Sequence, residues 1–169
     1  QVLDFSRASR TKTREIDFNL LVAKTSDLLL TKIRHRRQPP LLNLADQKLC
    51  IWGNPDQLQH ALLQFMIVTM EDMTDECSIE LATRRVEQNI RLTIGFNGQE
   101  EVRARVDKTL RQIFGNPTGT QRLSIIVAGE TIRYHGGDYG VESFQENLPK
   151  LYIELPHFKG VENASASNS

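Results

Sequence analysis

The sequence is short of almost everything that marks a secreted, membrane or nucleic-acid-binding protein. Its 169 residues hold two cysteines, Cys50 and Cys77, too few for a disulfide framework or a structural zinc site. A reduced, cytoplasmic setting is therefore expected, with membrane anchoring of a longer, full-length protein left open. No secretory signal opens the chain, and its longest apolar runs, within Ala61–Thr69 and Leu123–Ala128, fall far short of the ~20 residues a bilayer needs. Net charge is lacking too. The 21 basic residues balance 21 acidic ones, which excludes the basic excess of a general nucleic-acid binder. The four histidines, His35, His60, His135 and His157, stand far apart and show no metal-ligand spacing. Repeats are missing, and only the end of the chain, Gly160–Ser169, is low in complexity.

What is present fits one globular domain: 39% of the residues are apolar and 25% charged, with length enough for a core. The charge is uneven. Residues 1–50 carry ten basic against five acidic groups, and residues 51–100 carry three against eight. Lys32-Ile33-Arg34-His35-Arg36-Arg37 is the most basic stretch. It reads either as a docking site for an acidic partner or as a solvated helix end. Val2, Leu3 and Phe5 suggest a helical stub that closes a longer upstream segment.

Periodicity then sets the elements. Ile16–Phe18 reads as a brief strand, and Asn19 as the cap of a helix that stops by Arg37, before Pro39 and Pro40. Leu41–Leu44 and Lys48–Trp52 read as a hairpin, with Trp52 in the core. Asn54-Pro55-Asp56 opens a second helix, in which Leu58, Ala61, Leu62, Phe65, Met66, Thr69, Met70 and Met73 recur at helical spacing. Ile79 and Leu81, then Ile90, Leu92, Ile94 and Phe96, alternate as half-buried strands do, with Gln88-Asn89 in the turn. Val106–Phe114 and Arg122–His135 follow as helices, the latter stopped by Gly136-Gly137. Val141 with Phe144 and a last stretch ending at Leu155 complete the strands. This order predicts a two-layer α/β sandwich, a mixed sheet of about five strands with about three helices on one face.

These segments resemble the ATP-binding domain of histidine kinases. Gly53–Met73 is similar to the helix that carries that family's asparagine box. Val2–Arg7 is similar to the end of the preceding dimerisation helix. Leu92–Gly98 stands at the first glycine box, Gly119-Thr120 at the second, and Leu151–Pro156 at the closing strand. The resemblance implies a linker over 1–14, an ATPase-like domain over 15–157 and a flexible tail over 158–169. Any dimer would form through upstream helices, outside this sequence.

The same resemblance implies that the nucleotide site has eroded. Where the family has asparagines, one of them the Mg²⁺ ligand, stand Gln64 and Val68; a valine offers no oxygen to a hard cation. Where an aspartate receives the adenine amino group stands Phe96. Gly98 is kept, but the next glycine is Glu100. In the second box Gly119 is kept and the other two are Gln121 and Leu123, whose side chains obstruct the backbone approach that cradles phosphates. Hydrogen bonds to charged groups are worth roughly 1.5–3 kcal/mol, so losing adenine, metal and phosphate contacts together costs ~5 kcal/mol, at least ~10³ in affinity. The expectation is a two-component signalling module that binds neither ATP nor Mg²⁺, without catalytic residues. Its partners would be a receiver domain of a response regulator or a partner histidine kinase, docked through Lys32, Arg34, Arg36 and Arg37. The alternative is the catalytic domain of an active sensor kinase with divergent boxes. Cys77 follows Asp75 and Glu76, which raises its pKa and argues against a nucleophilic role.

Overall fold

The computed structural model describes residues 13–33, 36–71, 73–114, 123–142 and 150–160. Its main sheet follows from the alternation of apolar residues. β4 (Ser78–Val86), β5 (Asn89–Asn97) and β7 (Lys150–Pro156) are antiparallel neighbours at its centre. With β2 (Leu41–Asn43) and β6 (Asp138–Glu142) at the edges, the strand order is β2-β4-β5-β7-β6. The register sets Ile79 opposite Phe96, Leu81 opposite Ile94, and Leu92 between Thr83 and Ile153. One face is therefore a continuous apolar surface. The other face carries Arg84, Arg91 and Glu154 in one row across the strands. The β4–β5 turn lies one residue earlier than expected, at Glu87-Gln88, with Glu87 at a positive φ of 54°.

Four helices share the core with that apolar face: α1 (Phe18–Lys32), α2 (Pro55–Met70), α3 (Glu100–Phe114) and α4 (Leu123–Tyr134). Asp17, not Asn19, caps α1, accepting from the Leu20 N–H at 3.2 Å. Asn19 instead ties α1 to the sheet, donating to the Ala45 carbonyl and accepting from the Thr83 hydroxyl. The helix ends at Lys32, short of Arg37. α3 starts at Glu100, six residues before the expected Val106, because Val102 extends the buried stripe Val106, Leu110 and Ile113 back by one turn. α4 is stopped at Gly136, whose φ of +80° only glycine adopts freely, while the Gly137 N–H closes onto the Ile132 carbonyl at 2.9 Å.

The expected hairpin of Leu41–Leu44 with Lys48–Trp52 does not form. β2 runs parallel to β4 at the sheet edge. β3 (Cys50–Gly53) pairs antiparallel with β1 (Arg14–Asp17) in a separate two-stranded sheet. Trp52 is not in the core either: it is 52% exposed and packs on Phe158, ring centroids 5.1 Å apart. β6 contains the expected Val141; Phe144 and the stub at residues 2–5 lie outside the described residues. No helix among the described residues is long and apolar enough to cross a membrane.

Candidate functional site

The second helix is built as its sequence indicates. The Asn54 carboxamide oxygen accepts from the Asp56 and Gln57 N–H groups at 3.0 and 3.1 Å, and Pro55 stands where no intrahelical donor is needed. The helix start is clamped from outside by His135, whose Nε2 accepts from the Asn54 N–H at 3.2 Å and whose Nδ1 donates to the Thr131 carbonyl. That clamp, joining α4 to α2, has no signature in the sequence.

From this start α2 carries Gln64 to a half-buried position and Val68 to one only 8% exposed. Thr69, beside it, is fully buried and turns its hydroxyl back onto the Phe65 carbonyl at 2.8 Å. The last inward-facing residue of β5 is Phe96, one residue before its end, 2% exposed and in the same apolar cluster as Val68. Next, Gly98 lies so close to the start of α3 that a Cβ there would stand 2.9 Å from Val102 Cγ1 and 3.1 Å from the Glu76 carbonyl oxygen. Glu100 opens α3 and is exposed. Leu123, first residue of α4, is 65% exposed, while Gly119 and Gln121 lie outside the described residues. The fold thus gathers Val68 and Phe96 into one core and leaves Glu100 and Leu123 at the surface.

Two of these positions, Val68 and Phe96, offer a magnesium nucleotide no side-chain donor or acceptor. Val68 and Phe96 have no polar atom, so neither an oxygen ligand nor an acceptor for an exocyclic amine is available from them. Among the described residues no group of three or more His, Cys, Asp or Glu side chains is placed to hold a metal ion.

The basic stretch divides. Lys32 and Arg37 are exposed, and the Arg37 and Gln38 N–H groups donate to the Asp75 carboxylate. Arg34 lies outside the described residues. Arg36 is corrected outright as a docking residue: it is 4% exposed and donates to the Thr74 and Cys77 carbonyls at 3.0 and 2.7 Å. It ties the loop after α1 to the loop before β4. Burial lowers its pKa, opposed by the nearby Cys77 and Asp75. The Cys77 thiol is pushed up, but by burial rather than by its acidic neighbours, and Arg36 works against the shift.

Sequence reasoning missed two further clusters. Phe65, Phe114 and Tyr139 join α2, α3 and β6, with centroids 5.2 Å apart for Phe65–Tyr139 and 6.3 Å for the other two pairs. On the outer sheet face Arg91 pairs with Glu142 and Glu154 and lies 4.6 Å over the Tyr152 ring. Burial opposes ionisation of Glu154, yet hydrogen bonds from Arg91 and Asn89 outweigh it and hold the carboxyl below its usual value.

Among solved structures, the nucleotide-free catalytic domain of the histidine kinase ThkA superposes with a TM-score of 0.62 over 85% of this chain and 95% of that one, at 18% identity. The chain has the histidine-kinase catalytic-domain fold. The ATP-binding domain of PrrB from Mycobacterium tuberculosis matches at 0.58 over 88% and 99%, with 16% identity. ThkA in complex with the response regulator TrrA matches at 0.63 over 86% of this chain and 42% of that one, at 19% identity. No family sequence model and no curated protein matches. Within this fold α2 and the end of β5 are the elements carrying Gln64, Val68 and Phe96.

Proposed function

We propose that this domain is a degenerate histidine-kinase ATPase-like module that does not bind ATP and docks another two-component protein, its partner being the receiver domain of a response regulator. The observation that carries the first half is Phe96. It occupies the core at the end of β5, where the resemblance puts an adenine-accepting aspartate, and Val68 shares that core without offering a metal ligand. A nucleotide would have to evict that buried ring, and neither the Phe96 nor the Val68 side chain offers an acceptor for its amine. The partner class is supported by ThkA, whose structure of this fold was solved with a response regulator. Exposed Lys32 and Arg37 offer the positive charge that suits an acidic phosphorylation site.

The deciding experiment is a melt in millimolar Mg²⁺·ATP. A ligand at a hundred times its Kd stabilises a protein by ~2.7 kcal/mol, several degrees for a domain of this size. The expected shift is nil. A rise of several degrees would show nucleotide binding and overturn this reading in favour of the alternative, a catalytic ATP-binding domain with divergent boxes.

A further inference from the structure

A cavity of about 260 Å³ lies between α3 and the loop that joins α2 to β4. Met73, Cys77, Val102 and Val106 give it an apolar lining, and all four are buried. Arg105 and Lys108, three residues apart on α3, bring two exposed cations to it. Among the described residues, none of Gln64, Val68, Phe96, Gly98, Glu100 or Leu123 lines it, although Gly98 lies against Val102 on its border.

Two observations bear on the positive charge at the cavity. Among the described residues, Arg105 pairs with Glu76, at 3.4 Å, with the two side chains 63% and 70% exposed. Such an exposed pair is weak and yields readily to a better-placed carboxylate. Behind the wall, the buried Arg36 donates to the carbonyls of two lining residues, Thr74 and Cys77, and its Nε has no hydrogen-bond partner among the described residues. That guanidinium, bonded to neutral carbonyls, adds positive charge behind the wall, offset in part by the nearby Asp75 carboxylate.

We propose that this cavity binds a small carboxylate with an apolar body, the body against Met73, Val102 and Val106 and the carboxylate on Arg105 and Lys108. The volume lies just under the usual range of ligand pockets and suits a molecule of about ten non-hydrogen atoms, such as an arylacetate. This assignment does not rest on the docking function, and its test uses the chain without any partner.

The full 169-residue chain, labelled at Met and Val methyl groups, is titrated with phenylacetate and separately with phenethylamine, similar in body but opposite in charge. Phenylacetate should produce saturating shifts at Met73, Val102 and Val106 with a Kd of about 0.1–1 mM, as expected for so small a ligand. Phenethylamine should not. Replacing two exposed residues, Arg105→Glu with Lys108→Glu, should leave the spectrum folded and weaken phenylacetate by about tenfold or more. Unmoved methyl signals, an equal response to phenethylamine, or undiminished affinity in the charge-reversed variant would each overturn the proposal.

Discussion

At the scale of single residues, the molecule turns on where a side chain ends up rather than on what type it is. Phe96 turns a position that the resemblance makes polar into core. Truncating a core phenylalanine costs about 3–5 kcal/mol, and a carboxylate put there adds an unpaired buried charge. Phe96→Asp should therefore lose at least ~4 kcal/mol in urea unfolding, much of an ordinary domain's stability, without gaining ATP affinity. A stable, ATP-binding Phe96→Asp/Val68→Asn protein would show that the pocket had been open all along. Phe96 is legible in the sequence because alternation along β5 puts it on the apolar face with Ile90, Leu92 and Ile94. Arg36 is not legible: within a run of five cationic or histidine residues nothing local distinguishes the side chain that turns inward onto two carbonyls. Glu154 adds a pH dependence. A carboxyl held below its unfolded value, about 4.3, stabilises the fold above that pH and loses its contribution as pH falls through the lowered value. Glu154→Gln should cost ~1 kcal/mol at pH 7. In melts at a series of pH values, the gap from the parent should close as pH drops below about 4.

At the scale of elements, long periodic stretches declare themselves and short or non-local pairings do not. β4, β5 and β7 each bury alternate residues, and α2 announces its start with a capping asparagine and proline. β2 and β3 have three and four residues, too few to encode a partner, and their nearness in sequence suggests a hairpin that long-range pairing overrides. The start of α3 is readable in principle, since Glu100-Glu101 suits a helix N-terminus and Val102 continues the stripe. Packing between elements is invisible in the sequence. Gly129 of α4 shows why this matters. Replacing a mid-helix glycine by alanine ordinarily gains ~1 kcal/mol. Here the added Cβ would run into the ring of Tyr139, which is itself held by Phe65, Phe114 and the Arg133 guanidinium 5.0 Å away. Gly129→Ala should thus destabilise by ~1–3 kcal/mol, the usual cost of overpacking. In a double-mutant cycle, Tyr139→Leu should reverse the sign; a stabilising Gly129→Ala in the parent would refute the close packing of α4 on β6.

At the scale of the whole molecule, zero net charge conceals a division that bears on docking. The basic excess of the first fifty residues includes the stretch at the end of α1, where Lys32 and Arg37 face solvent while Arg36 braces the interior. Surface cations of this kind act mainly on encounter rates, raising them at low salt and losing that effect once the Debye length shortens to a few ångströms. Truncating a buried, hydrogen-bonded cation acts instead on folding. The two roles separate experimentally. In titrations against receiver domains, Lys32→Glu/Arg34→Glu/Arg37→Glu should leave the melting temperature nearly unchanged, slow association about tenfold or more at low salt, and remove most of the salt dependence. Arg36→Glu should instead lower stability, by about 3 kcal/mol or more, because the Thr74 and Cys77 carbonyls lose their donor and face a carboxylate. Association that is equally fast and equally salt-sensitive in the triple variant would return the end of α1 to a solvated helix terminus, and the docking surface would have to be sought on another face of the fold.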